Sequence, residues 1–277
     1  MVFGRTESPG SPSFPESQAK NSYSAKVSVT GFDYEICYDL RDLDVTFPFV
    51  QTLPGDRILI VGSRCKRSKD QVVEQNAIMH NPDGSLEARF CLGDGIEHVQ
   101  ADSAGRIWVG YFDEGVFGNF GWGDSGRESD PMGQAGLVCF NDSGKKLWEF
   151  EAPAGVGGID DCYALNVDKH SVWACYHSDF PIVHIDDQNR TIGWTTNLAG
   201  PRALAIARNR VLAFGGYGDH QTDCFLLQLG DGRAEIRASV QLKLPGNVDP
   251  SSLRAIGRGP LLHLFTPTEW SSFLVPN

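Results

Sequence analysis

Residues 96–110 read Ile-Glu-His-Val-Gln-Ala-Asp-Ser-Ala-Gly-Arg-Ile-Trp-Val-Gly, and the chain continues through Tyr111-Phe112-Asp113-Glu114-Gly115 to Gly118. Ile96, Val99 and Ala101 carry the apolar content of a first short strand. Asp102-Ser103-Ala104-Gly105 then forms a tight turn, with a carboxylate able to cap backbone N–H groups and a glycine free to take positive φ. Ile107, Trp108 and Val109 supply the β-branched and aromatic side chains of a second strand. Strand, turn, strand and exit through glycine make half of a four-stranded meander. The pattern returns in weaker form along most of the chain, and recurrence at that period marks a β-propeller.

Working outward, Asn81-Pro82-Asp83-Gly84 and Asn141-Asp142-Ser143-Gly144 are hairpin turns between strands of alternating character. The repeats divide the chain at 46–95, 96–155, 159–200, 201–246 and 251–277. The reading is all-β: a propeller of five blades, with four and six as alternatives. The last repeat holds only three strands. An N-terminal strand around 26–38 is therefore expected to complete the last blade and close the ring, because a propeller left open exposes unpaired edges. Residues 1–22, rich in Ser, Pro, Gly and Glu, read as a disordered leader ahead of a single domain over 23–277.

The formal charge of −11 argues against a nucleic-acid partner, which needs clustered Lys and Arg, and against docking on an anionic membrane. The seven cysteines, Cys37, Cys65, Cys91, Cys139, Cys162, Cys175 and Cys224, are odd in number, dispersed and without a C-x-x-C pair. That pattern speaks for free thiols and a cytoplasmic location, and against a disulfide frame or a thiolate zinc site. The first twenty residues lack the apolar core of a secretory signal, and no run reaches transmembrane length. The oligomeric state is not legible.

Residues 98–110 resemble the repeat of the two-component-regulator propellers, bacterial sensor modules with an Asp-x-x-Gly-x-Ile-Trp-Val-Gly core, and more loosely the blades of the gluconolactonase and senescence-marker group. Residues 136–150, Gly-Leu-Val-Cys-Phe-Asn-Asp-Ser-Gly-Lys-Lys-Leu-Trp-Glu-Phe, are similar to the outer hairpin of quinoprotein-type propeller repeats. One blade matches well and the rest by pattern, so the resemblance implies the fold and transfers no activity.

In a propeller the first strand of each blade lines a central channel, and the loops at one end form a funnel. That rule gathers Glu97, His98, Asp160, Asp161 and Arg202 from the starts of inner strands. Arg64, Asp113, Glu114, His177, Asp179, Asp219 and His220 come from the loops after second strands. Adjacent strand residues point oppositely, so only one of Asp160 and Asp161 faces the channel. Residues 118–133 are an inserted loop whose Phe120 and Trp122, interleaved with glycine, suit a lid over the funnel.

Two functions fit. The first is a binding module that holds a small molecule or peptide in the funnel, with Glu97, Glu114, Asp179, Arg202, Asp219, His220 and Trp122 as contacts. The second is a metal-assisted hydrolase, lactonase or lyase. In it Glu97, Asp113, Asp160, Asp161 and Asp179 would be oxygen ligands for a divalent cation such as Ca²⁺ or Mg²⁺. Asp113, His98 and His177 would then be the catalytic candidates. No Gly-x-Ser-x-Gly elbow and no dinucleotide fingerprint occurs.

Overall fold

The computed structural model describes residues 16–30, 35–70, 72–123, 130–243 and 248–276. From Pro48 onward the chain forms successive antiparallel meanders. The first sheet holds β3 (Pro48–Leu53), β4 (Arg57–Gly62), β5 (Ala77–His80) and β6 (Leu86–Phe90). The second holds β7 (Ile96–Ala101), β8 (Ile107–Tyr111), β9 (Leu137–Phe140) and β10 (Lys146–Glu149), with a one-turn helix α1 (Asp113–Phe117) after β8. Next come β11 (Asp161–Val167), β12 (Ser171–His177), β13 (Ile182–Asp186) and β14 (Thr191–Trp194). The fourth holds β15 (Ala203–Ala207), β16 (Arg210–Phe214), β17 (Asp223–Leu229) and β18 (Ala234–Gln241). Three strands end the series, β19 (Arg254–Arg258), β20 (Leu261–Phe265) and β21 (Trp270–Leu274).

The first strands lie side by side, β3 by β7, β7 by β11, β11 by β15 and β15 by β19, as in a β-propeller. Turn chemistry sets each hairpin. Asp102 Oδ1 accepts from the N–H of Ala104 and Arg106, and Asn141 Oδ1 from those of Ser143 and Lys145. Gly105 and Gly144 then take φ of +81° and +77°, which side-chain-bearing residues resist.

Alternation along each strand sends apolar side chains to both faces, so the core is a series of layers between sheets. Leu59 and Val61 of β4 meet Ile107, Val109 and Phe140 of the second sheet. Trp108 and Cys139 meet Leu165, Ala174 and Val183 of the third. Trp173 meets Leu204 and Val211 of the fourth, and Phe214 meets Leu262 and Leu264 of the last.

The N-terminal region departs from expectation. β1 (Gln18–Thr30) pairs with β2 (Glu35–Val45) as a separate antiparallel hairpin, and among the described residues β21 pairs with β20 alone. The hairpin does not complete the last sheet. Leu40, Leu43 and Val45 instead cover Ile58, Ile60 and Ile78, the apolar face of the first sheet that points away from the second. Burying that face outweighs extending an edge, and it also draws residues 18–22 of the expected leader into strand. Thr46 Oγ1 donates to the carbonyls of Glu16 and Ser17, fastening the start of β1. Residues 1–15 of that leader lie outside the described residues.

Side chains seal one end of the inner strands. Gln51 Oε1 accepts from Ala101 N–H of β7; Gln100 donates to Leu165 O and accepts from Val167 N–H of β11. Asn166 donates to Leu204 O of β15 and to Gly259 O, and accepts from Gly259 N–H. Arg258 closes the layer by donating to Ala101 O, Val167 O and Gln51 Oε1. β11 and β19 meet directly in parallel at Asn166 and Gly257. The approach there is so close that a Cβ on Gly257 would stand 1.6 Å from Leu204 O. No helix among the described residues is long and apolar enough to cross a membrane.

Candidate functional site

A cavity of about 700 Å³ opens above this sealed layer, between β3, β7, β11 and β19. Its walls hold Phe49, Phe112, Tyr163 and Phe265 with Glu97, His98, Asp161, Arg202 and Arg254. The strand starts aim these groups: each inner strand enters from the open end and runs toward the amide layer. A second depression of about 650 Å³, lined by Lys146, Trp148, Glu149 and Thr191, lies on the outer strands. It gathers no side chain from the inner strands.

Of the adjacent pair, Asp161 is the carboxylate on the cavity wall; Asp160 donates its backbone N–H to His177 O and is outside the lining. Burial, then the negative charges of Glu97 and Asp113, push the Asp161 carboxyl up to about 6. Glu97 is open to the channel, yet the surrounding walls displace bulk water and raise its carboxyl, while Arg254 opposes the shift. His98 is the counter-case. Burial, with Arg254 adding to it against the pull of backbone hydrogen bonds at Tyr163 and Cys162, lowers its imidazole to about 4. At neutral pH the ring is uncharged, and its buried Nε2 has no hydrogen-bond partner among the described residues. Arg254 lies over the Phe49 ring at 5.5 Å and makes no ion pair among the described residues. Arg202 is already engaged, donating to Gln221 O at 2.7 Å and, more weakly, to Pro250 O and Leu253 O.

Glu97, His98, Asp161 and Arg202 line the cavity, and Asp113, exposed on α1, acts on it through its charge. Glu114 is committed elsewhere. It pairs with Arg64 at 2.5 Å, and Arg64 also holds Asp94 at 3.0 Å and stacks on Phe112 and Phe120. His177 is exposed at the end of β12 and Asp179 in the turn after it, His220 bonds Asp223 at 2.6 Å, and Asp219 sits in the same short turn. None of these four borders the cavity.

Trp122 is not a lid residue. It is buried, its indole N–H donates to Cys65 O at 2.9 Å, and Arg67 covers its ring. Phe120 O accepts from Arg67 N–H, so this end of the insertion is tied to the first sheet rather than placed over the channel. Residues 124–129 of the insertion lie outside the described residues. Among the described residues, no three His, Cys, Asp or Glu side chains form a metal-sized group, so Glu97, Asp113, Asp160, Asp161 and Asp179 are not gathered around one point.

Sequence reasoning missed Arg254, Arg258 and the amides Gln51, Gln100 and Asn166. The amides did leave a signal. Each is a polar residue one or two places before the end of an inner strand, in three successive sheets.

The YxzG family model matches residues 132–214, less than a third of the chain. No curated protein matches the sequence. Among solved structures, virginiamycin B lyase from Staphylococcus aureus is similar at 11% identity and TM-score 0.45, over 92% of this chain and 75% of that one. BamB from Moraxella catarrhalis gives 12% identity and TM-score 0.46 over 94% and 80%. A functionally unknown protein from Desulfotomaculum acetoxidans gives 11% and 0.48 over 90% and 78%. Likeness at this level carries neither residues nor chemistry across.

Proposed function

We propose that the chain is a cytoplasmic, five-bladed β-propeller that binds a small polar molecule, or the end of a peptide segment, in its central channel. One observation carries this reading. Glu97 and Asp161 stand on the cavity wall opposite in charge to Arg254, with no ion pair among the three, above a layer in which every amide is satisfied. Charges held apart around a cavity are available to a ligand in a way that paired charges are not. A ligand with donor groups toward Glu97 and Asp161, an acidic group toward Arg254 and an apolar body against Phe49, Tyr163 and Phe265 would suit it.

A second reading, an enzyme working on the same wall, is favoured by the raised carboxyl of Asp161 and the neutral imidazole of His98. In its metal-assisted form Glu97, Asp113 and Asp161 would be drawn together by Ca²⁺ or Mg²⁺.

Melting scans against amino acids, sugar acids and dipeptides, with Ca²⁺, Mg²⁺ and chelator in parallel, test both readings. The binding reading expects a stabilising organic class whose shift is lost in Arg254→Met and in Asp161→Asn. Shifts of equal size in both variants would overturn it. A cation-dependent shift lost in Asp161→Asn but kept in Arg254→Met would favour the enzyme.

A further inference from the structure

Away from the channel walls, three sulfur atoms meet where the first sheet faces the insertion. Cys65 Sγ lies 3.5 Å from Cys91 Sγ, and Met132 Sδ lies 3.5 Å from Cys91 on another side. The two thiols follow β4 and β6, which are not neighbours in the sheet, so dedicated contacts must bring them together. Asn76 does this by donating to Gly62 O and Gly93 O and accepting from Leu92 N–H, and Asp94 Oδ1 accepts from Cys65 N–H at 2.7 Å.

The two sulfurs are unequal. Cys65 is buried against Glu74 O, while Cys91 is half-buried and accepts from Gly93 N–H at 3.3 Å. The Cys65 thiol, Gly93 N–H and the Arg67 charge together favour a Cys91 thiolate and hold that thiol below its ordinary value. The hydrogen bond with Cys91, then burial, push Cys65 far above its own.

We infer that Cys91 and Cys65 form a hydroperoxide-reactive pair, Cys91 the attacking thiol and Cys65 the resolving one. Cys91 Sγ attacks the terminal oxygen of the hydroperoxide; the O–O bond breaks, leaving a sulfenic acid on Cys91 and an alcohol, or water from hydrogen peroxide. Cys65 Sγ then attacks Cys91 Sγ, the S–O bond breaks, and the Cys65 proton leaves with the hydroxide as water. Two thiols are oxidised to one disulfide and one hydroperoxide is reduced. The bond would fasten the end of β6 to the segment after β4, beside the Arg64, Asp94 and Glu114 ion pairs.

The test treats reduced full-length protein with one equivalent of hydrogen peroxide and maps cysteine states by peptide mass spectrometry. The expected product is a Cys65–Cys91 cross-link two hydrogens lighter, formed at least ~10-fold faster than oxidation of the exposed Cys37. In Cys65→Ser, dimedone should trap a sulfenic acid on Cys91. Oxidation of Cys37 ahead of Cys91 in the unaltered protein, or a folded Cys65→Ser variant without the Cys91 adduct, would overturn the inference.

Discussion

The two ends of the central channel are built from similar polar residues and treat them oppositely. At the sealed end Gln51, Gln100, Asn166 and Arg258 spend their hydrogen-bonding groups on the backbone of neighbouring inner strands or on one another. At the open end Glu97, Asp161 and Arg254 form no ion pair with one another, and among the described residues the buried Nε2 of His98 has no partner. Buried polar groups are normally satisfied, because leaving one orphaned costs about 1–3 kcal/mol. A fold that meets this requirement at one end and tolerates its breach at the other, a few residues along the same strands, separates architecture from chemistry.

Substitutions can break that contrast, and Gly257→Ala is the most severe. The added methyl would meet the Leu204 carbonyl, which is backbone and cannot swing aside. A loss of about 3 kcal/mol or more is expected, read as a collapse of the urea midpoint. Next is Asn166→Leu, which strands Leu204 O and both backbone groups of Gly259. It should cost about 3 kcal/mol, whereas Arg254→Met at the open end should stay within about 0.5 kcal/mol. Equal losses in the two variants would erase the distinction between the ends.

The smallest effect is a slope in pH. The folded chain holds Asp161 at about 6 against an ordinary 3.8, so its contribution to stability is fullest below pH 3.8 and is lost as pH rises through about 6. His98, at about 4 against 6.5, contributes fully above pH 6.5 and loses its contribution as pH falls through about 4. The two oppose each other on acidification. Asp161→Asn should therefore melt higher than the unaltered protein at pH 7 and lose stability more steeply between pH 6.5 and 4. Parallel melting curves would show that Asp161 does not sense the desolvation assigned to it.

The strands were legible because their determinants are local. Asp102, Asn141 and Asp186 cap their own turns two and four residues ahead, and β-branched runs lie between them. Position at the start of an inner strand likewise picked out Glu97, His98 and the Asp160–Asp161 pair, but alternation did not: a register break between Ile96 and His98 lets the adjacent Glu97 and His98 both reach the lining. The N-terminal hairpin was misassigned because its choice of the first sheet depends on which apolar face lies bare, and alternation within 26–38 does not report that. Asp113, Asp179, Asp219 and His220 come from equivalent loops and none lines the cavity, because loop conformation, not spacing, decides whether such a residue reaches it. Arg254 and Arg258 escaped notice because their partners are remote in sequence, Arg258 and Gln51 being 207 positions apart.

That separation bears on how the molecule is made. Each meander pairs strands adjacent in sequence and can form soon after its own residues are free, since local contacts close cheaply. The sealed end cannot: Gln100 waits for Gly257, 157 positions later, and Gln51 for Arg258. During synthesis the sheets precede the floor that joins them, so an emerging chain has its walls before it has a cavity. The cavity itself is completed in one late step, when β19 docks against β11.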